Sequence, residues 1–141
     1  MRHSSLFDLS GRVAVITGGA GMLGRMHAEV IAEAGGYPVL ADIRGDLADE
    51  AAESIGKKFQ VSARGIRVDI TSKVDVERLR DAVVREFGRI DILINNAAND
   101  AKVGADSNDS AWSRFENFPI DVWNRDLAVG LTGAFLCSQV L

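Results

Sequence analysis

VAVITGGAGMLG, residues 13–24, is the stretch that decides the fold of this chain. Its opening residues, VAVI, are apolar without interruption, as expected for a strand that is covered on both faces of a sheet. Glycines follow, then an amphipathic stretch, and then a second apolar run that ends at Asp42. This order of strand, glycine turn, helix, strand and acid predicts a βαβ unit with a parallel sheet.

The glycine turn predicts a binding site for the pyrophosphate of a dinucleotide. Glycine reaches backbone angles that other residues avoid, and its missing Cβ lets a pyrophosphate approach the backbone. The N–H groups that open the following helix then point at the anion. Gly19, Gly21 and Gly24 fit G-x-G-x-x-G, while Gly18, Gly21 and Gly24 fit G-x-x-G-x-x-G, and the sequence leaves both spacings open. The alternative is a turn that only packs helix on strand; a P-loop is excluded because no Gly-Lys-Ser/Thr follows.

Composition indicates one soluble globular domain: the chain has 141 residues, of which 47% are hydrophobic and 26% charged. A net charge of −4 without a basic cluster disfavours nucleic-acid binding. No run approaches the roughly 20 apolar residues of a membrane span, so we expect no membrane association. Cys137 is the single cysteine, which favours a reducing, cytoplasmic location, and we expect it to be a small buried hydrophobic residue.

Hydrophobic periodicity predicts strands and helices in alternation. The predicted strands are residues 13–17, 37–42, 66–69 and 90–94, and the predicted helices are residues 22–34, 45–59, 73–87 and 121–141. The first helix has bulky apolar residues at helical spacing, namely Leu23, Met26, Val30 and Ile31. A polar loop covers residues 97–119. We therefore expect an α/β fold, a three-layer doubly wound Rossmann fold whose parallel strands have the order 3-2-1-4, with the ligand at their carboxyl ends.

Asp42 ends the second predicted strand, where a carboxylate can accept hydrogen bonds from the adenosine ribose hydroxyls of a dinucleotide. This position favours NAD over NADP, because a 2′-phosphate would meet a like charge. Arg44 lies two residues on and could bind a phosphate instead, although we expect it to be a solvated surface residue. The alternative for Asp42 is a cap on the following helix.

These segments, with three later ones, resemble the short-chain dehydrogenase/reductase family. The resemblance covers nearly the whole chain and is carried by residues 11–24, Ala41-Asp42, Val68-Asp69-Ile70, residues 91–97 (DILINNA) and residues 131–135 (LTGAF). It implies that residues 1–141 are an NAD(P)-binding Rossmann domain. This domain would be the N-terminal part of an enzyme that transfers a hydride between NAD and a carbonyl or alcohol substrate. It also implies a homo-oligomer, because the last helix often lies at a subunit interface in the family.

The resemblance implies a set of cofactor-binding residues in this chain. Asp69 would contact the adenine amino group and Ile70 would pack on the ring, although Asp69 could instead be a local cap. Asn96 would stabilise the sheet beside the cofactor, and its amide can satisfy backbone groups that are left free where a strand ends. The full set is Gly18, Gly21, Met22, Leu23, Gly24, Asp42, Ile43, Asp69, Ile70, Asn96, Ala97 and Ala98.

Three positions depart from the family's pattern. Met22 stands at the second glycine of Thr-Gly-x-x-x-Gly-x-Gly, and Gly21 instead gives the spacing of the family's longer, often sugar-nucleotide-modifying branch. Ala98 replaces the last glycine of Asn-Asn-Ala-Gly. Gly130 occupies the position at which the family usually has a catalytic-site asparagine.

In the family that this chain resembles, catalysis rests on a serine after the fifth strand and on a Tyr-x-x-x-Lys motif in the next helix. Neither is found in this chain, so we predict no catalytic residue within it. Its single tyrosine, Tyr37, is followed four residues later by Ala41, and we expect it to pack on a strand. His3 and His27 are isolated, and we expect no metal site.

The same resemblance implies a sheet truncated before its remaining strands, because the chain stops at Leu141, before those motifs could appear. We expect a chain that is inactive alone and an apolar edge at the fourth strand that favours association. A non-catalytic nucleotide-binding module and a methyltransferase-like α/β protein are the alternatives, and Asn95-Asn96-Ala97 argues against the second.

Overall fold

The computed structural model describes residues 7–99 and 115–141. Its strands are β1 (Val13–Thr17), β2 (Tyr37–Asp42), β3 (Arg64–Arg67) and β4 (Ile92–Ile94), and its helices are α1 (Met22–Glu33), α2 (Gly45–Phe59), α3 (Lys73–Phe87), α4 (Ile120–Leu127) and α5 (Ala134–Val140). A 3-10 turn, Phe115–Asn117, precedes α4, and a π-helical segment, Ala128–Gly133, joins α4 to α5.

The strands form one parallel sheet in the order β3-β2-β1-β4, which confirms the predicted fold class and strand order. Val15 of β1 lies between Val39 of β2 and Leu93 of β4. Among the described residues, β4 is paired on one side only, with β1. Because the strands run in the same direction, their carboxyl ends meet at one edge of the sheet.

Two apolar clusters cover the two faces of the sheet and give the fold three layers. Successive residues of β1 point to opposite faces, so Val15 belongs to one cluster and Ile16 to the other. The first cluster packs α3 and α5 on the sheet through residues such as Leu79 and Cys137, and the second packs α1 and α2 through residues such as Ala28. Each fully buried Val, Leu or Ile contributes about 1.5–3 kcal/mol, so these clusters are the main source of stability.

Helix α1 packs on the sheet mainly through small residues, together with the single bulky residue Ile31. Its buried residues are Gly24, Ala28, Ile31 and Ala32, whereas Leu23, Met26 and Val30 are exposed. A Cβ at Gly24 would lie 2.3 Å from the carbonyl oxygen of Gly18, so the helix approaches the glycine turn too closely for any side chain. The periodicity therefore predicted the helix correctly, but of the four larger apolar residues only Ile31 lies on its buried face.

Some predicted boundaries were wrong by one or two residues or merged separate elements. Strand β3 spans Arg64–Arg67 rather than residues 66–69, because the backbone turns at Asp69 instead of continuing the ladder. Strand β4 starts at Ile92 rather than at residue 90, because the Asp91 carboxylate accepts the Val13 N–H group at 2.9 Å. The predicted helix 121–141 is divided by the π-helical segment.

Two predictions fall wholly or partly on residues 1–6 and 100–114. His3 and most of the predicted loop 97–119 lie outside the described residues, while His27 is exposed on α1. In the described part of the chain, no group of three His, Cys, Asp or Glu side chains is placed to hold a metal ion. None of the helices in the same ranges has the length and apolar character that a bilayer crossing requires.

Candidate functional site

A cleft of about 580 Å³ lies at the carboxyl ends of the strands. It is lined by Gly18, Gly21, Met22, Leu23, Gly24, Ala41, Asp42, Ile43, Arg44, Val68, Asp69, Ile70, Asn96, Ala97, Ala98, Asn99 and Val129. The structure therefore brings every residue of the predicted binding set to one cavity. These residues come from four separate turns and meet there because parallel strands end at the same edge.

The glycine turn between β1 and α1 forms one wall of the cleft. Gly18 has a φ of +64°, and a Cβ there would lie 2.9 Å from the Cα atom of Ala97. Gly21 and Gly24 also line the cleft, whereas Gly19 faces Leu40, whose Cα atom would lie 2.7 Å from an added Cβ. Of the two glycine spacings in the sequence, the one that lines the cleft is therefore G-x-x-G-x-x-G.

The start of α1 presents backbone donors to this wall. The first intrahelical bond runs from the Arg25 N–H group to the carbonyl oxygen of Gly21 at 3.0 Å. The N–H groups of Met22, Leu23 and Gly24 precede that bond, and a helix leaves these first donors without a partner inside the helix. The first turn contains no acidic side chain. The positive end of the helix dipole therefore faces the cleft without local compensation, which suits a phosphate group.

Asp42 lies at the end of β2 with only 5% of its surface exposed. Its Oδ2 atom accepts the Ala20 N–H group at 3.0 Å, and its Oδ1 atom accepts the Arg44 N–H group at 3.0 Å. Asp42 does not cap α2, which was its alternative role. The cap position is occupied by Arg44, and no side chain forms a capping hydrogen bond there. A carboxylate offers about four lone-pair sites, so Asp42 retains acceptor capacity for hydroxyl groups in the cleft.

Arg44 differs from the expectation of a purely solvated surface residue. Its side chain is 53% exposed, but it lines the cleft, and its Nε atom lies 3.3 Å from Oδ1 of Asp42. An exposed guanidinium beside a buried carboxylate gives the cleft one group of each charge. The sequence placed Arg44 near the site, but it did not indicate this pairing.

Asp69 and Ile70 form the next wall, after β3. The Oδ1 atom of Asp69 accepts the N–H and hydroxyl groups of Thr71 at 2.9 and 2.6 Å. The Thr71 hydroxyl holds the pKa of the Asp69 carboxyl below its ordinary value, so the group stays ionised near neutral pH. Ser72 is the cap of α3 and accepts the Asp75 N–H group, so the local role of Asp69 is a turn rather than a cap.

Asn96 connects the end of β4 to the glycine turn. Its Nδ2 atom donates to the carbonyl oxygens of Thr17 at 2.9 Å and Gly18 at 3.3 Å. In return, the N–H groups of Asn96 and Ala97 donate to the buried Thr17 hydroxyl, both at 3.1 Å. This agrees with the prediction that an amide satisfies backbone groups where a strand ends. Asn95 points away and donates to the hydroxyl of Ser138.

The cleft also contains residues that sequence reasoning missed. Ala41 and Val68 precede predicted site acids, so their position was available from the sequence, whereas Asn99 and Val129 gave no signal. Val129 belongs to the π-helical segment, a rare geometry that often occurs at functional sites. Gly130 follows it, is exposed, and has open space within 4 Å of the position that a Cβ would occupy.

Two residues, Tyr37 and Cys137, were predicted to have packing roles, and both pack in the structure. Tyr37 stacks on Phe87 with ring centroids 6.0 Å apart, which matches the expected packing role. Cys137 is fully buried, as predicted, and its burial raises the pKa of the thiol to about 11, so the thiol stays protonated at neutral pH.

The parallel α/β sheet, the glycine turn and the acid at the end of β2 define the Rossmann-type class of nucleotide-binding folds. The chain matches the family described as short chain dehydrogenase over residues 12–141, and it therefore belongs to that family. This membership excludes the methyltransferase-like alternative.

Similar proteins support the same family. The chain is 34% identical to an uncharacterized oxidoreductase, YxbG, of Bacillus subtilis, over 94% of this chain and 45% of the relative. An NAD+-bound xylitol dehydrogenase has a similar structure, with a TM-score of 0.81 and 32% identity over 94% of this chain and 47% of that one. An NADPH-dependent 3-quinuclidinone reductase of Rhodotorula rubra gives a TM-score of 0.78 and 29% identity, over 99% and 50%. The chain spans about half the length of the curated relatives it matches.

Proposed function

We propose that this chain binds NAD in the cleft and forms the cofactor-binding part of an oxidoreductase that acts on a carbonyl or alcohol. The observation that carries the proposal is the position of Asp42, a buried carboxylate that faces the same cavity as the free N–H groups of α1. The dinucleotide supplies the hydride chemistry, and the residues of this chain bind and orient it.

The walls of the cleft suit the separate parts of a dinucleotide. The N–H groups of Met22, Leu23 and Gly24 would receive the diphosphate, and Asp42 would accept the adenosine ribose hydroxyls. The adenine would be held by Ile43, Asp69 and Ile70, since these residues combine apolar surface with an ionised acceptor. Asn96, Ala97 and Ala98 would lie along the remaining part of the cofactor.

Charge at the ribose end supports NAD rather than NADP. A 2′-phosphate at Asp42 would bring a dianion next to a buried carboxylate, and that repulsion disfavours binding. Arg44 opposes this effect, because an exposed guanidinium can rotate toward a phosphate. The similar solved structures include one that is NAD+-bound and one that is described as NADPH-dependent, so the proposal rests on Asp42 itself.

A titration with NADH and NADPH, followed by nicotinamide fluorescence, tests the cofactor choice. We expect the wild type to bind NADH at least about tenfold more tightly, a difference of about 1.4 kcal/mol. Asp42→Ala should reduce the ratio of the two affinities, while Asp46→Ala should preserve it, because Asp46 is an exposed acid of α2 that does not line the cleft. Tighter binding of NADPH by the wild type would contradict the assignment, and binding of neither would contradict the site.

A sugar-nucleotide-modifying enzyme of the same family is a second candidate. The glycines that line the cleft have the G-x-x-G-x-x-G spacing that, by the family resemblance, is found in that branch. A substrate panel on the whole protein, with simple alcohols and ketones in one arm and sugar nucleotides in the other, distinguishes the two. We expect turnover in the first arm, and no turnover from the 141-residue chain alone, which has no Tyr-x-x-x-Lys motif.

We also propose that the protein is a cytoplasmic homo-oligomer. Exposed apolar residues follow one another at helical spacing along α4, the π-helical segment and α5, namely Ile120, Trp123, Leu127, Leu131 and Phe135. An apolar stripe of this length is typical of a surface that another chain covers. Light scattering should show an associated species that Leu131→Asp with Phe135→Asp converts to a smaller one. A monomeric wild type at high concentration would contradict the proposal.

A further inference from the structure

Both backbone polar groups of Ala20, in the glycine turn, are bound by charged side chains. Its N–H group donates to the Oδ2 atom of Asp42 at 3.0 Å, and its carbonyl oxygen accepts the Nε–H group of Arg25 at 3.0 Å. Hydrogen bonds that involve an ionised partner are shorter and stronger than neutral ones. Ala20 is 6% exposed and Asp42 is 5% exposed, so water cannot readily replace the carboxylate.

We infer that Asp42 is a positioning residue for the diphosphate as well as the acceptor for the ribose. In this role its carboxylate fixes the orientation of the glycine turn, and thereby the direction of the free N–H groups that open α1. The inference deepens the proposed function and rests on it, because it assumes that a dinucleotide occupies the cleft.

The hydrogen bonds of the turn explain why this one contact matters. The Gly19 N–H group donates to the carbonyl oxygen of Ala41 at 3.1 Å, and the Gly21 N–H group donates to that of Gly18 at 3.1 Å. With the Ala20 N–H group bound by Asp42, three consecutive amides of the turn are used inside the protein. The next donors, at the start of α1, precede the first intrahelical bond and are left to receive an anion, so the geometry of the turn determines where they point.

The other carboxylate oxygen ties the same side chain to the next turn. Oδ1 of Asp42 accepts the Arg44 N–H group at 3.0 Å, so a single carboxylate joins the turn after β1 to the turn after β2. Removal of this group would leave the Ala20 N–H group buried without an acceptor, and the turn would have to rearrange to satisfy it. Ribose recognition and diphosphate binding therefore depend on one rigid unit.

A ligand without ribose hydroxyls separates the two roles of Asp42, because only the positioning role predicts that Asp42→Ala lowers the affinity for it. If Asp42 only recognised the ribose, Asp42→Ala would leave the affinity for 2′,3′-dideoxy-ADP unchanged or raise it, since a negative charge near the diphosphate is removed. If Asp42 holds the turn, the affinity for this ligand falls. We expect a loss of about tenfold by isothermal titration calorimetry, against a larger loss for ADP, which also loses its hydroxyl acceptor.

Two further variants control for folding and for charge. Asp42→Asn keeps one acceptor oxygen and should give an intermediate loss, so it retains the test if Asp42→Ala fails to fold. Asp46→Ala removes the same charge nearby and should leave the affinity for dideoxy-ADP unchanged.

Amide hydrogen exchange supplies a readout that does not depend on the ligand. In Asp42→Ala, the Ala20 amide should exchange at least about tenfold faster, with a smaller increase in Asp42→Asn, while the amide of Val83 in the core of α3 keeps its protection. Unchanged exchange at Ala20, or unchanged affinity for dideoxy-ADP, would overturn the inference and leave the proposed function intact. Failure of the wild type to bind either ADP or dideoxy-ADP would overturn both.

Discussion

Two carboxylates at opposite ends of the sheet, Asp42 and Asp91, accept similar backbone hydrogen bonds but have different surroundings. Each accepts a backbone N–H group from the segment of β1 and its turn, Asp42 at Ala20 and Asp91 at Val13. Asp91 is also paired with Arg12 and Arg89, and it does not line the cleft at the carboxyl ends of the strands. Asp42 has Arg44 as its arginine partner, which is half exposed, and it lines the cleft together with Gly18, Gly21 and Gly24.

The difference between these acids shows what makes such a group available to a ligand. Both carboxylates connect neighbouring strands, but the arginines around Asp91 occupy its acceptor sites, whereas Asp42 keeps some that face the cleft. We therefore expect changes at the carboxyl ends of the strands to affect both stability and nucleotide binding. Changes at the amino ends should affect stability alone.

The largest expected effect at the cleft end comes from Gly24→Ala. The new Cβ would lie 2.3 Å from the Gly18 carbonyl oxygen, so α1 must move away from the turn. We expect a loss of about 1–3 kcal/mol in the free energy of unfolding, as for other overpacked sites, together with loss of ADP binding. Urea denaturation and calorimetry measure the two quantities.

Gly130→Ala is the matched control, because its Cβ would meet open space within a helical segment. Alanine is the better helix former, so this variant should be neutral or more stable by up to about 1 kcal/mol, with unchanged ADP binding. Equal losses in the two glycine variants would show that close packing at the turn is not what Gly24 provides.

A moderate effect is expected from Asn96→Ala, which removes the amide that bonds the carbonyl oxygens of Thr17 and Gly18. Loss of a part-buried partner of this kind costs about 1–3 kcal/mol, and the affinity for ADP should fall because Gly18 is no longer held. Urea denaturation and calorimetry on Asn95→Ala should show little change, since Asn95 is exposed and bonds the Ser138 hydroxyl rather than the glycine turn. A similar affinity for ADP in both variants would show that the contact of Asn96 with the glycine turn is not needed for nucleotide binding.

The smallest effect on binding is expected at Asp91, where only stability should change. The hydrogen bond from Arg89, with that from the Val13 N–H group, holds the pKa of the Asp91 carboxyl well below its ordinary value. Because the pKa in the folded state is below that in the unfolded state, the contribution of Asp91 is present at neutral pH and is lost as the pH falls below about 4.

Denaturation of the wild type and of Asp91→Asn between pH 7 and pH 2.5 measures this contribution. The wild type should be the more stable at pH 7, and the two stability curves should converge in acid. Both proteins should bind ADP equally at pH 7. A loss of ADP affinity in Asp91→Asn would break the comparison between the two acids.

The sequence predicted those parts of the fold and cleft that depend on local pattern. The apolar runs of β1 and β2, the glycines and the acid at the end of β2 predicted the parallel βαβ unit and placed Gly18, Gly21, Gly24 and Asp42 at the cleft, whereas residues such as Asp69 and Asn96 were predicted from the family resemblance. Pattern could not give the buried face of α1, because the approach of Gly24 to Gly18 depends on how closely two elements pack. The contact of Asp42 with Ala20 joins residues that are distant in the sequence, and no spacing rule contains it.

The π-helical segment gives the last helix a reserve of length. Val129 lines the cleft within this segment, and Cys137 is fully buried in the core beyond its end. A π-helical turn holds one residue more than an α-helical turn, because its hydrogen bonds span five residues rather than four. Deletion of one residue between Ala128 and Gly133 can therefore be absorbed by a change from π-helix to α-helix, which keeps Cys137 facing the core. The same deletion within α5 would rotate the residues after it by about 100° and should be tolerated far less.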